Sequence, residues 1–455
     1  MPPSLAPRRV QTIRKPLERY RAVVGDDAVE ELRDLAHDLR GARVLELSAT
    51  ATGGGVAELL SSLLPLQTDL GLDAQWHVMA GEPGFFEVTK KMHNGLQGME
   101  VELTDADRDL YLRHAEANAE ALEGGWDAVI VHDPQPAAMR SFLPDEGGGW
   151  LWRCHIDCPE PHPPVWEFLK PYVESHDEQA FTVAEFKPPG LNGTAVTIVP
   201  AIDPLAAKNR VLPDYLARET AEELGVDLSR PLLLQVSRFD PWKDPLGVVR
   251  IWRAVREQVP GLQLALVGAM AADDPEGRRL FAEVQAETEG DADCLLLTDE
   301  VGVGHHEVNA LQRMADVVVQ KSLREGFGLI VSETLWKGTA MVAAPVGGIP
   351  AQLVDGETGY LATSDEEFAA RVGELLEDPV HGRELGAAGL RRVRERFLLP
   401  RLLRDQLLVL RRLVNGVSPA EAGVAEADET TEAAEQEGRA EDARQEAPEP
   451  AIVAG

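Results

Sequence analysis

The chain alternates short apolar runs with longer stretches of helical spacing, and it does so in two separate series. Residues 44–48, 75–80, 128–132, 151–156, 180–183 and 196–199 are brief, apolar and β-leaning. Between them, in 28–39, 56–70 and 106–122, the apolar residues recur at the spacing of one helix face. The series starts again with 232–237, 262–267, 294–297, 315–320 and 340–344, separated by helical spacing in 246–258, 277–287 and 328–337. Strands that are apolar along their whole length are buried on both faces. Alternation with helices therefore demands parallel sheets covered on both sides, an α/β architecture.

At 455 residues the chain exceeds what one core usually supports. Two α/β domains are expected, at 1–205 and 206–397. The break is placed in the stretch VPAIDPLAAKNRVLPDY, which has three prolines and no clear period, with the hinge near 203–209. A Leu- and Arg-rich helix at 398–415 is expected to dock back on the first domain. Residues 416–455 form a tail in which acids outnumber arginines eleven to two. Its large apolar residues nearly vanish, so it cannot bury enough surface to offset the entropy of ordering and is expected to be disordered.

A formal charge of −33 repels nucleic acid and anionic membranes, and neither is expected as a partner. No apolar run approaches the roughly 20 residues of a membrane span, and no apolar stretch follows the basic residues near the start; a cytoplasmic location is expected. Cys154, Cys158 and Cys294 are too few for a disulfide framework.

Against this acidic background, clustered cations are informative. PLLLQVSRFDPWKDPLG delivers Arg238 and Lys243 at the carboxyl end of a strand, just before a helix that starts near Asp244. Two cations beside the positive end of a helix make a seat for a diphosphate; the plainer alternative is a surface Arg and Lys on a loop. KSLREGFGLIVSETLWKG places Glu325 and Glu333 eight residues apart, with Gly326, Phe327 and Gly328 directly after the first carboxylate. The glycines break a helix there, so Glu325 belongs on a turn and Glu333 early in the following helix, with different tasks. In the first half, SATATGGGVAELL turns through Gly53, Gly54 and Gly55, where backbone N–H groups can approach a ligand. Its spacing is neither G-x-G-x-x-G nor G-K-[ST]. The turn PVGGIP is read as a backbone contact surface or a tight turn.

RCHIDCPEPH superficially resembles a metal site, but a structural zinc needs a second distant pair, and the only other cysteine is Cys294 in an apolar strand. His155, at the end of strand 151–156, is read instead as a sugar-contacting residue, or else as a core histidine bonded to backbone. His132 and Asp133 also end a strand. In FFEVTKKMH, Phe85 is core, whereas Lys90 and His93 can reach an acceptor. His305 and His306 precede a helix and are read as solvated.

Arg238-x₄-Lys243-Asp244, then Glu325-Gly326-Phe327-Gly328-x₄-Glu333, then Pro345-x-Gly347-Gly348 resemble the donor domain of the retaining glycosyltransferases of family 4. Within it, LSATATGGGVAELLSSLLPLQTDLGL, GEPGFFEVTKKMHNGLQG, VIVHDPQPAA and WRCHIDCPEPHPPVWEFLKPY are similar to the trehalose-forming glycosyltransferring synthases. The resemblance implies a GT-B fold, two Rossmann-like domains facing across a cleft. It implies transfer of glucose from a nucleoside diphosphate glucose, ADP-glucose favoured, to free glucose, reversibly. Arg238 and Lys243 would hold the diphosphate, Glu333 the ribose, and Glu325 with the amides of Gly326, Phe327 and Gly328 the transferred glucose. His155 would sit near the reacting centre, Gly54 and Gly55 would approach phosphate and acceptor, and Lys90, His93 and Asp133 would bind the acceptor. The motif offers no spare carboxylate nucleophile, so retention is expected by front-face displacement. No donor-metal motif is placed: no cofactor is expected to be obligatory, with Mg²⁺ at most stimulatory, and a homodimer is expected by base rate and analogy. The competing readings are a trehalose phosphorylase and a sugar-nucleotide binding protein or epimerase without an acceptor.

Overall fold

The computed structural model describes residues 5–52, 54–144, 147–270 and 275–416. Gly53 and the tail beyond Gly416 lie outside the described residues, and with them the expectation of a disordered tail. The described chain divides into two compact units. One holds 5–14, 34–199 and 405–416; the other holds 15–33 and 200–404.

The first unit is built on a seven-stranded sheet of β1 (Arg8–Val10), β2 (Arg43–Ser48), β3 (Asp73–Val78), β4 (Ala128–His132), β5 (Gly149–Arg153), β6 (Glu178–Phe181) and β7 (Thr194–Thr197). Its order is β1-β3-β2-β4-β5-β6-β7; only β1 runs antiparallel to its neighbour. The second unit carries β8 (Leu232–Val236), β9 (Gln263–Gly268), β10 (Cys294–Thr298), β11 (Val317–Gln320), β12 (Ala340–Ala343) and β13 (Tyr360–Leu361). These pair in the order β10-β9-β8-β11-β12-β13, all parallel. β1 and β13 escaped the sequence reading because three partly exposed residues, or two, carry no apolar period.

The order explains where ligands can bind. From β2 the chain winds one way to β3, then returns to the other side of β2 for β4 and beyond. From β8 it winds through β9 to β10, then returns to place β11 on the opposite side. At such a switch point the loops leaving two adjacent strands diverge, and a crevice opens outside their carboxyl ends. In the first unit those loops begin at Ser48 and His132; in the second, at Val236 and Gln320. Gly54, Asp133, Arg238, Lys243 and Glu325 sit on these four loops, and His155 on the one leaving β5.

Both cores follow the apolar periods. Trp76, Trp152, Tyr111 and Phe85 are fully buried in the first unit, Trp252 and Phe368 in the second. The helix Leu399–Asn415 starts in the second unit and ends in the first, as expected of a last helix that crosses back. Arg404 pairs with Glu31 at 2.5 Å within the second unit; Arg412 pairs with Glu178 at 3.0 Å within the first. Among the described residues no helix is long and apolar enough to cross a membrane.

Candidate functional site

At the carboxyl end of β8, Asp240 accepts the backbone N–H of Trp242 at 2.9 Å, opening the short turn Pro241–Lys243. Asp244 then adopts a left-handed conformation, φ 42°, and caps the helix Pro245–Arg256 by accepting the Gly247 N–H at 2.9 Å. That sharp reversal aims Lys243 inward. Its Nζ lies 2.5 Å from Oε2 of Glu325, on the turn leaving β11. The same carboxylate oxygen accepts Gln320 Nε2 and Ser322 Oγ, both at 3.2 Å. Gln235, buried on β8, donates to the Lys243 carbonyl at 2.8 Å and fixes the base of the lysine. A cation and a carboxylate are thus held side by side at the switch point. Arg238 is not part of this pair: it is largely exposed and meets Asp240 at 3.3 Å.

The turn after Glu325 is shaped by the loop after β12. Gly348 donates its N–H to Gly326 O at 2.8 Å. A Cβ on Gly347 would lie 1.7 Å from Glu325 O, and one on Gly348 would strike the Phe327 ring at 2.7 Å. Two glycines are therefore required, and PVGGIP is a buttress for the glutamate turn. Gly328, at φ 78°, starts the helix Leu329–Trp336 without a side chain to cap it. Gln352 supplies the cap from afar. Fully buried, its Oε1 accepts Ser332 N at 3.0 Å and Ser332 Oγ at 2.6 Å, while its Nε2 donates to Phe327 O and lies within 3.4 Å of Gly328 O and 3.3 Å of Gly348 O. No motif pointed to Gln352, because its role depends on a loop 25 residues away in sequence.

Glu333 is buried on that helix and pairs with Lys208 Nζ at 2.5 Å. Lys208 came from the stretch read only as a hinge. Lys337, one turn on, donates to Glu333 O at 2.8 Å and Asn209 Oδ1 at 3.1 Å; burial pushes its ammonium down to about 7, opposed by the Glu333 charge. A cavity of about 570 Å³ opens at the amino ends of β8, β11 and β12, past Pro231, Asp316 and Thr339. It contains neither Lys243 nor Glu325, and ligands of such sheets bind at the other end.

In the first unit, Gly54 and Gly55 begin the helix Gly55–Asp69, and a Cβ on either would meet nothing within 4 Å. The fold itself does not demand glycine at these two positions. Opposite, at the end of β4, His132 is buried between two partners: its Nε2 is 2.8 Å from Glu46 Oε2 and its Nδ1 is 2.9 Å from His155 Nε2. Glu46 is fully buried on β2, where its Oε1 accepts Gln67 Nε2 at 3.0 Å and also Gln406 Nε2. Sequence reading missed Glu46 because a single Glu inside an apolar strand looks like noise until its partners arrive from β4 and the last helix. His155 does not end a strand, as read from 151–156. β5 stops at Arg153, and His155 lies two residues past it because its N–H turns away to Asp133 Oδ1 at 2.8 Å. Burial, then Arg153 and His132, hold its imidazole well below the ordinary value.

Asp133 adopts a left-handed conformation, φ 64°, which aspartate and asparagine accept more readily than most residues other than glycine. Burial pushes its carboxyl up to about 6, against the His155 N–H and the neighbouring His132 and Arg153. Raised above its unfolded value of about 4, the group binds a proton in the native state first, so stability falls as pH rises from about 4 to about 6 and stays lowered above that. Asp133→Asn keeps the acceptor and tolerates the conformation. It is expected to stabilise the chain by about 2 kcal/mol at pH 7.5 and by much less near pH 4, read from urea melts at both.

Lys90 and His93 lie on the helix Pro83–Leu96, exposed and half-buried respectively, while Phe85 is core. His305 and His306 do not precede a helix but are its first two residues, in His305–Met314, and His306 Nε2 is 3.3 Å from Thr220 Oγ1. The Cys154 and Cys158 thiols are buried 3.7 Å apart, and among the described residues no group of three or more His, Cys, Asp or Glu could hold a metal ion.

Two family models match the chain: "Trehalose synthase, N-terminal domain" over residues 46–188, and "Glycosyl transferases group 1" over 217–392. A trehalose synthase of Rubrobacter xylanophilus is 49% identical over 412 residues, covering 89% of this chain and 99% of its own. One from Pyrococcus horikoshii is 42% identical over 403 residues, covering 88% and 97%. Among solved structures, a sucrose-phosphate synthase from Thermosynechococcus elongatus superposes with a TM-score of 0.64 at 18% identity, over 82% of this chain and 100% of that one, a likeness of fold.

Proposed function

The chain belongs to the trehalose synthase family of glycosyltransferases, with the GT-B type of fold, and from that membership we propose that it transfers glucose from a nucleoside diphosphate glucose to free glucose, making α,α-trehalose reversibly. ADP-glucose is the proposed donor. The observation that carries this reading is the Lys243–Glu325 pair at the switch point of the second sheet. The anomeric carbon of a sugar nucleotide joins an anionic phosphate to a ring of hydroxyls. A cation touching a carboxylate matches that junction, the lysine toward phosphate oxygen and the carboxylate accepting sugar hydroxyls. Arg238, more exposed, adds charge toward the diphosphate. Glu333, backed by Lys208, accepts the ribose hydroxyls, and the N–H groups of Gly326, Phe327 and Gly328 face the transferred glucose.

In the proposed step the bond from C1 to the phosphate oxygen breaks while the acceptor hydroxyl oxygen bonds to C1 on the same face. The acceptor proton passes to the departing phosphate oxygen. The protein supplies position and charge stabilisation rather than a nucleophile, since Glu325 and Glu333 are occupied elsewhere. Gly54 and Gly55 leave room for a phosphate or sugar to approach the backbone, and Lys90, His93 and Asp133 serve the acceptor. No metal is obligatory in this scheme, with Mg²⁺ at most stimulatory.

Incubation with nucleoside diphosphate glucoses, with and without free glucose, tests the proposal. Glucose-dependent release of nucleoside diphosphate together with a non-reducing disaccharide is expected, with ADP-glucose the fastest donor and activity retained in chelator. Glucose 1-phosphate formed from trehalose and phosphate, without nucleotide turnover, would instead make the chain a phosphorylase.

A further inference from the structure

With a carboxylate at Glu46 and a neutral imidazole at His132, the buried polar chain of the first unit has a direction that follows from donor and acceptor capacity. Arg153 can only donate; its Nη1 is 3.2 Å from Gln406 Oε1, which therefore faces the arginine. The amide nitrogen of Gln406 is then left to donate to Glu46 Oε1, where Gln67 also donates at 3.0 Å. A carboxylate accepts on both oxygens, so the His132 Nε2 facing the other oxygen of Glu46 at 2.8 Å carries a hydrogen. A neutral His132 then has a lone pair on Nδ1, which must accept from His155 Nε2 at 2.9 Å. What remains on His155 is Nδ1, without a hydrogen and without a partner among the described residues, on a ring that is partly exposed.

We propose that Arg153, Gln406, Glu46 and His132 are positioning residues that hold His155 in its Nε2–H tautomer, so that Nδ1 is presented as a hydrogen-bond acceptor to a hydroxyl of a hexose substrate. The inference rests on the reading of His155 as a sugar-facing residue. The chain draws on three strands, one strand exit and the last helix: Glu46 from β2, His132 from β4, Arg153 and His155 from β5 and its exit, Gln406 from Leu399–Asn415. The carboxylate-to-imidazole contact is the arrangement by which one ring nitrogen's partner dictates what the other can do. Here a second imidazole extends it by one ring. An acceptor at Nδ1 takes the hydroxyl's hydrogen and fixes the hydroxyl's orientation; a donor there would turn it round.

Glu46→Gln tests this without changing shape. Its carbonyl oxygen stays with the Gln67 and Gln406 donors, so its NH₂ faces His132 Nε2 and every hydrogen bond down the chain reverses. His155 should change from Nε2–H to Nδ1–H. Two-bond ¹H–¹⁵N spectra of the ¹⁵N-histidine-labelled chain report the tautomer, with His155→Gln identifying its signal among eleven histidines. The variant is expected to lose on the order of 10²-fold in turnover with its affinity for nucleoside diphosphate unchanged, the scale seen when a partner that orients a histidine is removed. Nδ1–H on His155 in the unaltered chain overturns the proposal whether or not the variant folds. So does a reversed tautomer in the variant with turnover within about twofold of normal. If the unaltered chain transfers no glucose, the proposed function fails, while the spectrum still decides the tautomer.

Discussion

Lys243→Ala is expected to lower turnover by roughly 10²- to 10³-fold while weakening nucleoside diphosphate binding by less than about tenfold. The lysine is held from three directions: the Asp240 turn before it, the Gln235 amide on its carbonyl, and Glu325 on its Nζ. In the proposed step such a preset cation would lower the energy of charge developing on the departing phosphate, with no rearrangement at that moment. In the proposed ground state the diphosphate would keep another charge partner, Arg238, near the start of the helix Pro245–Arg256. Truncation should leave the turn intact, because Glu325 keeps the Gln320 and Ser322 donors. Single-turnover rates against calorimetric affinities separate the two effects. Equal losses in both would reduce Lys243 to a binding residue.

Gln352→Leu is expected to destabilise the second unit by about 3 kcal/mol and to lower turnover, although the residue is not proposed to touch substrate. The substitution fills nearly the same volume but strands the Ser332 N–H and hydroxyl and the Phe327, Gly328 and Gly348 carbonyls in a buried setting. A buried polar group left unmade costs about 1–3 kcal/mol, and several are affected at once. The glutamate turn would then lose the tie that joins it to the helix and to the PVGGIP loop. Gln352→Glu keeps one acceptor and should recover Ser332's partner while repelling the carbonyls, so it should fall between. Chemical denaturation gives the stability, and the ratio of turnover to nucleotide affinity gives the effect on the site. Full activity in a destabilised Gln352→Leu would detach the residue from the chemistry.

The strands themselves were legible. β4 was read at its observed limits, and most others within two residues, because a strand buried on both faces must be continuously apolar and sequence records that directly. Phe85 was read as core on helical spacing. The glutamate turn was legible too, since Gly326 and Gly328 around Phe327 forbid a continuous helix. Where β5 ends was not legible: Cys154 to Ile156 continue the apolar run, but the His155 N–H is taken by Asp133, a residue on a different strand's exit. Arg238 and Lys243 looked equivalent in sequence. Only folding distinguished the lysine held against Glu325 from the arginine left exposed.

What the sequence determined by itself, then, is everything that depends on neighbours along the chain: two series of buried parallel strands, the glycine-broken turns at their ends, and the residue types carried there. Tertiary structure decided which of those residues touch. Strand order places β11 beside β8 and β4 beside β2, so residues some eighty positions apart, Lys243 with Glu325 and Glu46 with His132, become hydrogen-bond partners. The proton positions proposed for His132 and His155 rest on a further partner of Glu46, Gln406, more than 350 residues away. Apolar burial depends on pattern, which is local; hydrogen-bond polarity depends on a specific atom within about 3 Å, and only the folded chain provides it.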